Sequence, residues 1–414
     1  MKNDFCYFAI EIKDIPCHNT SQLKRFTLVI YFVYLLTSVS CKQEKKPPVK
    51  SNAKQKTTVT HALGFAIDNG GNFPIVTVTN PWPNANQSFT YAFIPKEDLE
   101  ANPTPKGNYD AIIGTPIENL VVTSTTHIPA LEALGGMDKL TGFPDTQYIS
   151  SMPARQLISQ GKIKELGNNE TLNTEMVLEM QPDAIVGFAM DNNNATYELL
   201  QKAGIPVLFN GDWTEQTPLG KAEWIKFFGV LLNKQKRAEK LFNEIEADYK
   251  KIKELAEQAS KKPTVLSGAL YKDIWYLPAG ESWAAQFITD ANAQYLWADT
   301  KGTGSLSLSL ESVLEKGQAA EIWISPSQFK NYEEMGISNT HYNEFLAFKN
   351  KNIHTFSATT GPTGGLLFYE LGPQRPDIIL KDLVRIFHPE LLPEYVPFFF
   401  NPFLEVHYFG LSLT

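Results

Sequence analysis

Cysteine is nearly absent: Cys6, Cys17 and Cys41 are the only three in 414 residues, and none lies beyond position 41. The body of the chain therefore carries no disulfide framework and no thiolate metal site. Basic runs are also missing after Lys50, and the formal net charge is −8, which argues against nucleic acid as a partner. The apolar run Phe26 to Leu36 falls short of the roughly 20 residues that a bilayer span requires. No G-x-S-x-G, P-loop or H-E-x-x-H occurs. Gly361-Pro362-Thr363-Gly364-Gly365 lacks the strand–loop–helix setting and the lysine of a phosphate cradle. His61, His127, His341, His354, His388 and His407 show no i, i+4 pairing. Zinc or manganese ligands drawn from distant loops stay open as an alternative, as does an enzyme with a two-lobed cleft, but no catalytic constellation can be assembled.

The chain is long enough to bury two or three cores. Lys24 and Arg25, the short apolar run and Ser38-Val39-Ser40-Cys41 follow the order of a secretory signal, expected over residues 1–41. Residues 42–58, with a lysine cluster and Pro47-Pro48, read as a flexible tether. Residues 59–118 contain two β-rich stretches around Asn80-Pro81-Trp82-Pro83-Asn84, a small N-terminal β element leaning on the first lobe. Trp82 there reads either as a lid on its own sheet or as a residue at a ligand mouth.

From Asn119 short strands and helices alternate, first over 119–217 and again over 263–392, with a tail at 393–414. Such alternation predicts parallel sheets covered by helices. Between the two lobes, residues 218–262 are helical. Ala238, Leu241, Phe242, Ile245, Tyr249, Ile252 and Ala256 recur at steps of three and four, so one apolar stripe faces a core, and Asn233 marks a break before it. The predicted fold is α/β: two lobes with parallel sheets joined by one long helix, plus the small N-terminal β element.

An internal repeat spans that helix. Glu175-Met176-Val177-Leu178-Glu179 precedes Ala184-Ile185-Val186, and Glu311-Ser312-Val313-Leu314-Glu315 precedes Ala320-Glu321-Ile322, without gaps. Each reads as a helix whose first turn carries a glutamate, feeding a strand. The glutamates either favour their own helix dipoles, worth about 0.3–1 kcal/mol each, or form an exposed pair, one per lobe.

With these features in hand, residues 119–392 resemble the substrate-binding proteins of ABC importers, in the class that binds cobalamin, iron–siderophores and haem. The resemblance rests on Val121 to Phe143, Thr174 to Phe188 and Gly372 to Pro389, together with the long helix and the Trp275 to Asp299 segment. It implies a binding lipoprotein of the periplasm rather than an enzyme, with no resident cofactor or metal, taking a metal chelate into a preformed cleft between the lobes. Cys41 would be the lipidated residue that anchors it to a membrane, although Ser38 stands where the lipobox favours leucine; an ordinary signal peptide is the other reading. Glu175 and Glu311 would dock on arginines of the permease. Thr126, His127, Phe143, Phe188, Trp283, Tyr369, Glu370 and Arg375 would face the ligand, the aromatic residues by stacking and Arg375 through an oxygen of the chelate. Phe188 and Ser305 stand where cobalamin binders carry tryptophans, which counts against that ligand.

Overall fold

A computed structural model describes residues 59–403, apart from 103–105, 170 and 192–193. The signal segment with Cys41, the tether and the end of the tail lie outside the described residues. Within them, no helix is long and apolar enough to cross a membrane.

Strands β1 (Phe65–Asp68), β2 (Ile75–Val78), β3 (Phe89–Pro95) and β4 (Ala111–Thr115) form one sheet in that order, antiparallel except for the β3–β4 pair. A second sheet is wholly parallel. It joins β5 (Leu120–Val122), β6 (Leu140–Phe143), β7 (Lys164–Glu165), β8 (Ala184–Gly187) and β9 (Val207–Phe209) in the order β7-β6-β5-β8-β9. Successive side chains of a strand point to opposite faces, and both faces of this sheet are apolar. Leu120, Val122, Val186 and Leu208 pack on one side with Ile128 and Leu131. Val121, Ile185 and Val207 pack on the other with Val177 and Leu200. Burial on both faces accounts for the continuous apolar strands.

The second lobe holds β10 (Thr264–Ser267), β11 (Ala269–Tyr271), β12 (Ile274–Pro278), β13 (Gln294–Tyr295), β14 (Ser305–Leu308), β15 (Ile322–Ile324), β16 (Ile353–Thr355) and β17 (Asn401–Pro402). Its main sheet runs β13-β10-β15-β16-β17, parallel but for β17. β11, β12 and β14 make a separate antiparallel sheet. In both lobes the first parallel strand (β5, β10) lies between a later strand (β6, β13) and the strand that comes after the repeat (β8, β15). The sequence repeat is thus a repeat of topology.

Between the lobes the expected helix is divided into three: Pro218–Glu223, Ile225–Leu231 and Gln235–Ala256. Asn233 takes a left-handed conformation, φ 55°, which breaks the chain's path where the sequence placed the break. The last helix spans about 33 Å at 1.5 Å per residue. Its single stripe serves two interiors. Ala238, Phe242 and Ile245 belong to the core of the first lobe, Tyr249 and Ala256 to that of the second. The helix Pro376–Phe387 packs along it and buries Ile379, Leu380, Leu383 and Val384.

Carboxylates fasten the remaining segments. Glu223, fully buried, accepts the backbone N–H groups of Thr60, His61 and Ala62 at 2.9, 2.6 and 2.8 Å, and pairs with Lys226 at 2.6 Å. Glu215 accepts those of Leu63 and Gly64 at 3.0 and 2.8 Å and the Trp224 indole N–H at 3.0 Å. The N-terminal element is therefore part of the first lobe's interior: Phe65, Val76, Tyr91, Phe93 and Ile113 share its core. Trp82 is buried against Phe89 of its own sheet and Phe209 of β9, not placed at a mouth. Phe398, Phe399 and Phe400 of the Phe-rich tail are held on the second lobe because Asp382 accepts their N–H groups and the Tyr395 hydroxyl.

Ile245→Pro removes a helix hydrogen bond and clashes with the preceding turn at the junction of the two cores. It should cost about 3 kcal/mol or more. Thermal unfolding that hardly moves would argue against a continuous helix through both interiors.

Candidate functional site

Ligands of open parallel sheets lie beyond the carboxyl ends of the strands. In the second lobe those ends are Ser267-Gly268 after β10 and Ser325 after β15, and they open into a cavity of about 600 Å³. Gly268 is needed there: its φ is +76°, and a Cβ would stand 1.9 Å from the carbonyl oxygen of Tyr276. Trp283, Phe356, Phe368, Tyr369 and Tyr276 are among the rings that line it. Trp283 opens the helix Trp283–Asp290, whose N-cap Ser282 accepts the N–H of Ala285. Phe356 and Phe368 stack at 4.2 Å with 9° between their planes, and Tyr369 meets Phe356 edge-on while remaining 53% exposed. Between the rings lie the hydroxyl residues Ser267, Ser282, Thr303, Ser305 and Ser325, and Gln328. Among the described residues, none that lines the cavity is charged.

The first lobe offers a smaller surface at the ends of β5, β8 and β9. Thr126 and Ser124 share a hydroxyl–hydroxyl bond at 2.9 Å. Phe188 donates its N–H to the Thr123 hydroxyl at 2.9 Å, is half-buried, and meets Trp213 at 5.4 Å. Lys221 sits between the lobes. Its ammonium donates to the carbonyls of Asp212 and Trp213 and lies 5.2 Å from the Trp283 ring. Burial lowers its pKa, against the pull of Asp212 and Glu215.

Of the eight residues expected to face a ligand, only Trp283 and Tyr369 line the cavity. Thr126 and Phe188 are partly exposed at the first lobe's strand ends. His127 has no exposed surface, opens its helix against Phe228 at 5.4 Å, and is held neutral by burial, its pKa pushed down to about 4. Phe143 ends β6 inside the core at 2% exposure. Both belong to the interior, His127 because its helix start packs on Phe228 and Phe143 because its strand end lies within the first lobe's core.

Glu370 and Arg375 are already paired. Glu370, buried, accepts the N–H groups of Ser150 and Ser151 at 2.6 and 2.8 Å, at the start of the helix Met152–Ser159 in the other lobe. Thr363 donates to the Gln147 carbonyl and Ser150 to that of Gly365. The glycine-rich turn is thus an inter-lobe clasp, and at Gly361 a Cβ would stand 2.5 Å from that of Ser150. Arg375 makes a two-bond pair with Asp377, at 2.9 and 2.7 Å. The aromatic partners Phe356, Phe368 and Tyr276 escaped sequence reasoning. For Tyr276 the alternation Ile274-Trp275-Tyr276-Leu277 was a signal, with Trp275 and Leu277 inward and Ile274 and Tyr276 outward.

Glu175 and Glu311 occupy matching places. Each is the second residue of its helix, Thr174–Met180 or Leu310–Gly317, and each is exposed. Asn173 and Ser309 cap the two helices by accepting the N–H groups of Met176 and Ser312. A backbone N–H bond and the Ser309 hydroxyl hold Glu311 below the usual carboxylate range. Among the described residues, no group of three or more His, Cys, Asp or Glu side chains converges as a metal centre.

This arrangement of two parallel-sheet lobes about one helix has known counterparts. The periplasmic binding protein family's sequence profile matches residues 120–359, and the chain belongs to that family. An uncharacterized lipoprotein of Methanocaldococcus jannaschii is 25% identical over 293 residues, covering 69% of this chain and 68% of the relative. A periplasmic heme binding protein from Pseudomonas aeruginosa superposes with a TM-score of 0.53 at 19% identity, over 70% of this chain and 99% of that one. A possible iron-binding periplasmic solute-binding protein from Staphylococcus epidermidis gives 0.52 at 22%, over 66% and 99%. These likenesses carry the fold, and the family match carries the class: a solute-binding protein of the ABC-importer type.

Burial raises the pKa of Glu370, opposed by the two N–H bonds it accepts. A carboxylate whose folded pKa is raised binds more protons folded than unfolded. Its contribution therefore grows more favourable as pH falls from the raised value toward the ordinary one. Wild type should gain stability relative to Glu370→Gln on acidification from about pH 7 to about pH 4. A difference that stays constant in denaturant titrations would mean that the carboxyl is not buried in the clasp.

Proposed function

We propose that the protein captures a metal chelate between its lobes and hands it to an ABC permease. The observation that carries this reading is the 600 Å³ aromatic cavity at the carboxyl ends of β10 and β15, a size suited to an organic ligand and far larger than a bare ion. A directly bound zinc or manganese ion would call for imidazole or carboxylate donors, and the described residues that line the cavity supply none. Iron and heme binding by the structural neighbours is consistent with a chelate as cargo. Siderophore, haem and cobalamin are the chelate types in view, with cobalamin the least favoured.

Glu175 and Glu311 are the docking groups in this reading. Two exposed carboxylates at matching helix starts, one per lobe, would orient the protein on two arginine clusters of the permease. Cys41 would carry the lipid that holds the protein at the membrane of the cell envelope, facing the periplasm. The relative named a lipoprotein supports this. Cys41→Ala should abolish fatty-acid labelling and release the protein from membranes; an unlabelled, membrane-retained wild type would refute the anchor.

Capture and delivery separate by mutation. Trp283→Ala and Tyr369→Ala should weaken chelate binding while leaving the fold intact. Glu175→Arg with Glu311→Arg should fold and bind the chelate as before yet fail to support uptake, since like charges facing each other cost several kcal/mol. Wild-type uptake by the double variant at normal expression would remove the docking role.

A further inference from the structure

The charge of the cavity says more about its ligand than its size does. Twenty-five of the described residues line it, and Asp, Glu, Lys, Arg and His are all absent from them. Charged groups close by are committed elsewhere. Lys221 is 8% exposed, directs its ammonium to two carbonyl oxygens of the first lobe, and has its charge offset by the nearby carboxylates of Asp212 and Glu215. Arg375 is held by both oxygens of Asp377. Glu370 is 3% exposed and spent on two backbone N–H groups. His127 is buried and neutral. The first lobe's strand ends add the rings of Phe188 and Trp213 and the hydroxyls of Thr126 and Ser124, and the charges on the same loops are the carboxylates of Asp191 and the buried Asp212, which do not favour an anion.

We propose that the ligand is an electroneutral chelate, with an aliphatic or aromatic exterior and acceptor oxygens within reach of the cavity's serine and threonine hydroxyls, and that polyanionic chelates are excluded. This rests on the chelate reading above and narrows it. An anion entering this space would leave water without meeting a counter-charge, and burial of an unpaired charge is strongly unfavourable. A neutral complex loses little hydration and gains ring contact with Trp283, Phe368 and Tyr369.

The test is a titration of the purified protein, followed by quenching of tryptophan fluorescence, with a neutral ferric tris(hydroxamate) and a trianionic ferric tris(catecholate) of similar size. The neutral complex should bind at least about 100-fold more tightly. Its affinity should not change between low and high salt, because no ion pair forms. Gln328→Lys, which places a cation on the lining, should raise the affinity for the trianion by about tenfold or more. Comparable affinities for the two complexes, a steep salt dependence for the neutral one, or no gain in the lysine variant would overturn the charge assignment and leave the chelate reading standing. Failure to bind either of these complexes, or haem titrated in the same way, would overturn the chelate reading itself, and the charge assignment with it.

Discussion

Everything in this structure is referred to one apolar stripe that two hydrophobic interiors share. Phe242 and Ile245 leave water in the first lobe, and Tyr249 and Ala256 leave it in the second, on the same face of one helix. The lobes cannot swing apart like domains on a flexible linker without uncovering part of that stripe. At about 25 cal/mol per Å² of apolar surface, such exposure is costly. Large hinge motion needs a few residues free to change φ and ψ, and a helix buried on both lobes offers none. The Glu370 clasp adds a second tie on another side. A cleft held in this way needs little ordering before a ligand could enter it.

Carboxylates have an unusual share in the construction. Glu215, Glu223, Glu370 and Asp382 each accept at least two backbone N–H groups from a segment distant in sequence, and all four are buried. Such bonds satisfy donors that no sheet or helix reaches, and a charged acceptor makes them stronger than neutral ones. Glu175 and Glu311 differ, since they are exposed at helix starts. The contrast divides acidic residues that build the fold from acidic residues available to a partner.

Much of the architecture was legible in the sequence because local periodicity carries it. The helix stripe, the break at Asn233 and the repeated glutamate-bearing helices derive from spacing alone, and the topology repeats as the sequence does. The cavity was less legible. Trp283 and Tyr369 were found through resemblance, whereas Phe356 and Phe368 carry no local mark that separates a cavity wall from a core. His127 and Phe143 show the converse: a helix-start and a strand-end residue that packing closed over. Glu370 was hidden for another reason. Its partners Ser150 and Ser151 lie 220 and 219 positions away, and no local pattern in the sequence encodes a bond over that distance.

The grip of Glu215 and Glu223 on residues 60–64 has a mechanical consequence. Five consecutive backbone N–H groups, immediately after the segment expected to be a tether, are fixed to the start of the inter-lobe helical region. Tension applied through the chain's N-terminal side would run into the buried helical region between the lobes and not into the loops around the cavity. The binding geometry is thereby insulated from load, so that a molecule tugged at one end keeps the same cleft as one drifting free.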